Sequence, residues 1–398
     1  MIFTTYWFVL FALVAVGVFH ALPRADWRLW WLAAACASFH IHFAGPAGVL
    51  PIVVLMGVTY FAALSRRPAL CVAAMLACVA ALAFYKYALF LVAEGIQPLS
   101  APLAGYLTHA ARDLQPGAPP LGISFFVFEF VHYLFEVRRG SEPIRSPLRF
   151  VVFSIFFPSL VAGPIKRYGQ FIPSLESATH AGFSSSGVAQ GLARVGVGFA
   201  KKVLIADQLT LYIDRWQPHF AEQSLFARWV IFAAIALRIL MDFSGYSDIA
   251  IGCAMTLGIR LPENFNWPYL ARNLQEFWQR WHISLASWLR DYVYIPLGGS
   301  RHGWARRILS GMAAFALCGL WHGPAWHFAA WGLYHGVGLA ACVTYERVPL
   351  LGPALSAVFR REPLAARALT LLFAWLGWLV FFYPVEEAWR MAALLFAP

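Results

Sequence analysis

A chain of 398 residues that is 61% hydrophobic and only 12% charged has too little polar surface to cover a water-soluble globule, whose charged fraction is about 25%. Its long apolar runs and mean hydropathy of +0.64 predict membrane helices, which satisfy their own backbone in lipid. They argue against a barrel of short alternating strands. The net charge of +11 does not point to nucleic acid. Lys and Arg stand in short clusters between apolar runs, such as Arg66-Arg67, Arg138-Arg139, Lys166-Arg167 and Lys201-Lys202, as the positive-inside rule places them.

Runs of about 17–25 apolar residues can cross a bilayer. In chain order they fall at about 5–22, 27–44, 47–64, 69–93, 120–137, 148–163, 186–212, 228–257, 308–322, 325–344 and 365–384, roughly ten or eleven segments, not all full crossings. Thr5 to Leu22 has no basic leader and reads as a retained span. Arg24 and Arg28, then Arg66 and Arg67, then Arg138, Arg139, Arg145 and Arg149 follow the first, third and fifth segments. The loops near Gly45 and Gln97 carry almost no Lys or Arg. This alternation predicts an outside N-terminus and basic cytoplasmic loops.

The sixth segment breaks the alternation, because Lys166 and Arg167 follow it. Pro158 and Gly163-Pro164 interrupt its helix, so it reads as a re-entrant or half-spanning piece lining a cavity or buried in protein. The stretch from Arg260 to Ser300 is not a span. At 100° per residue, Leu274, Phe277, Trp278, Trp281, Leu285, Trp288, Leu289 and Tyr292 share one face and polar residues the other. It reads as one amphipathic helix at the interface or across the bundle, with His282 at the edge of the apolar stripe. No internal repeat is evident, and the chain reads as one membrane-embedded domain over 1–398. Cys36, Cys71, Cys78, Cys253, Cys318 and Cys342 each lie inside an apolar run with no CxxC pair, as small buried hydrophobes do.

Ionisable groups inside a membrane are costly and are functional candidates by default. Lys86 can snorkel and Glu94 lies at a span end. Glu129, His132 and Glu136 share one helical face, as a proton path or a structural network. Arg238 and Asp242 have the spacing of a helical ion pair. Asp242 and Asp248 flank Ser244-Gly245-Tyr246-Ser247, which is either a polar lining or a tie between helices. His322 stands where Gly323-Pro324 breaks two apolar runs; a neutral imidazole there can take a proton from a hydroxyl, or simply bond a neighbouring helix. His322, His327 and His335 do not share a face, and no HExxH occurs, so no metal site is expected. There is no GxSxG elbow and no phosphate-binding GxxxxGK[ST].

"MDFSGYSDIAIG", "PENFNWPY", "EFWQRWHISLASWLRDYVYIPLGG" and "GLWHG" follow one another in fixed order. With "GISFFVFEFVHYLFEVRRG", "PSLVAGPIKRYGQF" and "GFAKKVLIAD" upstream, they closely resemble the membrane-bound O-acyltransferase family over about residues 120–340. The flanking 1–119 and 341–398 match only as hydrophobic spans. "YIPLGGSRHG" and "KKVLIAD" resemble the bacterial alginate O-acetylation branch. The tail, ending soon after a single span, is closer to the related D-alanyl transfer branch.

The resemblance implies an all-α polytopic fold whose helices ring a thin central region crossed by a tunnel. It implies that His322 is the catalytic histidine and His282 the second family position, on the tunnel wall. The oxyanion donor would be His282 or backbone N–H groups near Gly323. Asp291 would orient the amphipathic helix through Arg290 or Arg280. Trp281, Trp321, Asp242, Ser244, Tyr246, Asn264, Asn266, Arg290 and Asp291 become candidates for lining the substrate tunnel. The implied reaction moves an acyl group from a cytoplasmic thioester, acetyl-CoA, to a hydroxyl outside, with no tightly bound cofactor. Implied partners are the bilayer, an exported acyl-relay protein and a polysaccharide acceptor, at a bacterial inner membrane. D-alanyl transfer from a carrier protein remains an alternative, as does a non-enzymatic transporter, a class that uses broken helices and intramembrane charges.

Overall fold

The computed structural model describes residues 2–115, 119–161 and 163–397. Ala162 of the sixth apolar segment lies outside them. Among the described residues there is no strand, and the fold is that of an all-α polytopic membrane protein. Among the described residues three helices are long and apolar enough to cross a membrane, Ala25–Ser65, Pro68–Ile96 and Pro363–Phe382. The remaining expected segments coincide with helices that are shorter or carry more charge. Two compact units make up the chain: residues 1–199 with 246–262, and residues 200–245 with 263–398.

The first unit contains α1 (Tyr6–Ala21), α2 (Ala25–Ser65), α3 (Pro68–Leu91), α4 (Ala101–Leu114), α5 (Ile123–Arg138), α6 (Pro147–Ile155), α7 (Tyr168–His180) and α8 (Ser185–Phe199). Thr5 starts α1 by accepting a hydrogen bond from the Phe8 N–H at 3.2 Å. The second and third apolar segments form the two halves of α2. They join at Gly45, whose φ of 65° and ψ of 169° only glycine adopts easily, and Pro46 follows, unable to donate to the ladder. The expected break in the sixth segment is present. Helix α6 has only 9 residues, and the described residues between Phe157–Ser159 and Tyr168 have no regular structure.

The core of this unit is aromatic, with Phe126, Phe130, Tyr133, Phe150, Phe153, Phe156, Phe157 and Phe171 all buried. Lys166, expected as a loop charge, is instead 2% exposed and bonds both oxygens of Glu129 at 2.6 and 2.7 Å. The Tyr168 N–H donates to His132 Nε2 at 3.2 Å. Glu129 therefore ties α5 to the irregular segment through Lys166, and His132 ties it to the first residue of α7. The loops after the first, third and fifth segments meet on one face. Arg66 pairs with Glu142, and Asp26, Glu142, Arg145 and Arg149 line a common groove.

The second unit contains α9 (Asp207–Trp216), most of α10 (Leu225–Thr256), α11 (Leu274–Arg280), α12 (Ile283–Leu289), α13 (Gly303–His322), α14 (Trp326–Thr344), α15 (Leu351–Arg361), α16 (Pro363–Phe382) and α17 (Val385–Leu394). Helix α10 continues into the first unit with residues 246–256. Asp242 does not take Arg238 as its partner in the manner its spacing suggested. It pairs with Lys202 at 2.8 Å, while the Arg238 guanidinium lies over the Phe382 ring at 4.4 Å. Lys202 also binds Asp207, so it too is an internal partner and not a loop charge.

The single amphipathic helix expected over 274–292 is two short helices and a π turn. Asn273 caps α11 by accepting from the Glu276 N–H at 2.8 Å, and the Glu276 carboxylate accepts from the Arg272 N–H at 2.8 Å; the two bonds satisfy backbone donors at the helix start. Helix α11 ends at Arg280, and Trp281 after it is extended. His282 then adopts φ 43° and ψ 53°, a left-handed conformation that costs a non-glycine residue about 1–3 kcal/mol. Helix α12 restarts from it. The apolar stripe survives the break, since Leu274, Phe277, Trp278, Trp281, Leu285, Trp288 and Leu289 are all buried. His282 is not at a wet edge; it is 2% exposed.

Candidate active site

His322 is the last residue of α13. The next helix begins at Trp326, and the two pack backbone to backbone at Gly319 and Gly332. A Cβ on Gly319 would lie 2.2 Å from the Phe328 carbonyl oxygen, and one on Gly332 2.3 Å from that of Phe315. No side chain fits between, so the small residues set the approach of α14 and the place of the histidine one turn beyond Gly319. The half-buried His322 ring is walled by aromatics. Trp331 stands perpendicular to it at 5.1 Å, Phe381 edge-on at 4.9 Å, and Trp321 at 4.8 Å.

Trp321 also meets the His282 ring, with centroids 6.1 Å apart. On its other side His282 meets Phe243 at 4.7 Å. Its Nδ1 lies 3.1 Å from the side-chain oxygen of Asn264. Its Nε2 has no hydrogen-bond partner among the described residues. Burial pushes the His282 imidazole down to about 3, so the ring is neutral at physiological pH. One unit thus gathers two histidines around a shared tryptophan, one half-exposed and one buried.

A cavity of about 510 Å³ is lined by α11 through α14; it reaches Ile283, next to His282, and Cys318, one turn before His322, but neither histidine lines it. Trp278, Leu285, Phe315 and Cys318 give it apolar walls; Gln275, Gln279, Arg290 and Arg307 give it polar ones. From α13 it takes Arg307, Gly311, Ala314 and Cys318. Steps of three and four along a helix stay on one face, and the next step from Cys318 is His322. From Arg307 to His322 that face is about 22 Å long at 1.5 Å per residue.

A family model described as membrane-bound O-acyltransferase matches residues 74–383. The chain belongs to the membrane-bound O-acyltransferase family. It is 37% identical over 328 residues to the probable alginate O-acetylase of Azotobacter vinelandii, covering 79% of this chain and 60% of that protein. It is 32% identical over 252 residues to the peptidoglycan O-acetyltransferase of Helicobacter pylori, covering 57% and 48%. It is also 32% identical over 254 residues to the teichoic acid D-alanyltransferase of Bacillus subtilis, covering 60% and 63%. The chain thus spans about half to two thirds of the length of these curated relatives.

In this O-acyltransferase family member the residues expected along a tunnel fall in several places. His282, Trp321, His322 and Asn264 come together. Trp281 is buried in an aromatic stack with Phe277 and Trp378. Asn266 exchanges backbone bonds with Arg280, its N–H donating at 2.9 Å and its carbonyl oxygen accepting from the guanidinium at 3.2 Å. Asp291 bonds Arg290 at 2.8 Å, and Arg290 lines the cavity. Asp242 is held by Lys202, and Ser244 is buried two residues on. Tyr246 belongs to the first unit, where it stacks on Phe3 at 4.3 Å. Sequence reasoning missed Phe243, Trp331 and Phe381 as walls, and Gln275, Gln279, Arg307 and Cys318 as cavity lining. For Arg307 and Cys318 the signal was present, as a 3.6-residue period running down α13 into His322.

Proposed function

We propose that the protein is an acyltransferase that moves an acetyl group from acetyl-CoA on the cytoplasmic side of a bacterial inner membrane to a hydroxyl presented from outside. The observation that carries this reading is the placement of His322 at the end of the α13 face that lines the cavity. Arg290 and Arg307 on the wall suit the donor's phosphates, which guanidinium groups bind well. The apolar stretch beyond them suits the arm that carries the thioester. The acceptor oxygen attacks the thioester carbonyl as His322 takes the hydroxyl proton. The tetrahedral intermediate expels the CoA thiolate, which receives that proton; an O-acetyl ester and free CoA result. The likeness to an alginate O-acetylase and a peptidoglycan O-acetyltransferase favours a polysaccharide as the final acceptor, reached directly or through an exported relay protein. The likeness to a D-alanyltransferase supports a second reading, in which an aminoacyl carrier protein is the donor.

The test supplies purified protein with acetyl-CoA labelled in the acetyl group, adds membranes of the source bacterium as acceptor, and follows CoA release. His322→Ala lowers turnover by about 10²–10⁴-fold, the range for loss of a general base, with an unchanged melting temperature. Turnover preserved in His322→Ala removes the histidine from this role. Labelling only from an aminoacyl carrier protein transfers the enzyme to the second reading.

A further inference from the structure

The proton of one histidine in this site is located by its neighbours. Asn264 is fully buried. Three groups converge on its side-chain oxygen: the Ser284 backbone N–H at 3.3 Å, the Ser284 Oγ at 2.9 Å and His282 Nδ1 at 3.1 Å. A backbone N–H only donates, so the Asn264 atom at the convergence is its carbonyl oxygen and not its amide nitrogen. A carbonyl oxygen only accepts, so His282 Nδ1 carries the proton. In a neutral imidazole the other nitrogen is then a lone pair, and that is the Nε2 left without a partner.

The backbone serves the same arrangement. The Ile283 N–H donates to the Asn264 main-chain oxygen at 3.0 Å. Asn264 therefore grips the residues on either side of the left-handed turn at His282 as well as the ring itself. Strained backbone persists only where its surroundings over-determine it, and here a single asparagine supplies four of the constraints.

We propose that Asn264 is a positioning residue that locks His282 in the Nδ1–H tautomer, so that Nε2 accepts a hydrogen bond from an O–H or N–H of the bound substrate. The tautomer follows from the hydrogen bonds alone; its use in acyl transfer rests on the proposed function. In this state His282 has no proton to offer a developing oxyanion, and backbone N–H groups must fill that role.

The decisive measurement is the ¹⁵N spectrum of imidazole-labelled protein in detergent, with the His282 signals assigned by their loss in His282→Gln. In the wild type Nδ1 is expected to be protonated and Nε2 bare. Asn264→Asp retains that pattern, because a carboxylate also accepts from Nδ1. Asn264→Leu moves His282 to a mixture of tautomers and lowers kcat at least about tenfold, as expected for a misplaced proton acceptor, while Asn264→Asp restores part of the rate. A protonated Nε2 in the wild type, or a His282 spectrum unchanged by Asn264→Leu, overturns the proposal. An inactive wild type with Nδ1 protonated would instead count against acyl transfer and leave the tautomer standing.

Discussion

His322 ends the 20-residue α13 and is half-buried, whereas His282 precedes a 7-residue helix and is buried. Burial in low-dielectric surroundings disfavours the charged form of an imidazole. His282 titrates at about 3 in the folded protein against 6.5 when free. Above pH 6.5 both folded and unfolded chains hold it neutral. Between 6.5 and about 3 the unfolded chain binds a proton that the folded one refuses, so stability falls as pH drops. His282→Gln removes this proton, and its melting temperature in detergent should fall less between pH 7 and pH 5 than that of the wild type. An equal or steeper fall in the variant would mean that His282 is hydrated or already charged. The pairing with Asn264 was not legible in the sequence, because nothing in "PENFNWPY" shows that one carbonyl oxygen reaches across 18 residues to a ring nitrogen.

The helix stretch around His282 shows where reading by periodicity fails. Apolar residues from Leu274 to Leu289 recur at helical spacing on both sides of the break, and no proline or glycine marks it. The break is set by tertiary constraint, with Asn264 bonding Ile283 and Ser284, and propensity carries no trace of that. The sixth segment is the opposite case, since Pro158 and Gly163-Pro164 announce the interruption in the sequence itself. What remained hidden there was the partner of Lys166. A lysine next to an arginine reads as a loop charge, yet burial forces it onto the Glu129 carboxylate. Removing one member of a buried pair strands the other, at a cost of about 3–5 kcal/mol, whereas replacing both with apolar groups is often neutral. Lys166→Met should therefore sharply lower the melting temperature, and adding Glu129→Leu should recover most of the loss. If the double variant is no better than the single, the pair is not what holds the irregular segment to α5.

Lipid-facing helices advertise themselves through composition, which is why nearly every apolar run located a helix, while among the described residues three helices meet the length and hydropathy needed to cross alone. Shorter or more polar helices owe their place to packing against neighbours, and a sequence window does not register that. Orientation depends on a different physics, the cost of moving Lys and Arg across a membrane. Here the structure adds a constraint that the charge count lacked. Arg66 with Glu142, and the groove shared by Asp26, Arg145 and Arg149, put the loops after α1, α2 and α5 on one face, so whatever side receives one basic loop receives all three. Burial of Lys166 removes the charge that contradicted this pattern. With the basic face in the cytoplasm, the exposed turn at Gln97 lies outside. In intact cells, a membrane-impermeant maleimide should label Gln97→Cys readily and Ser141→Cys only after permeabilisation, with the wild type, whose cysteines are buried or half-buried, as background. Labelling of Ser141→Cys but not Gln97→Cys in intact cells would invert this topology.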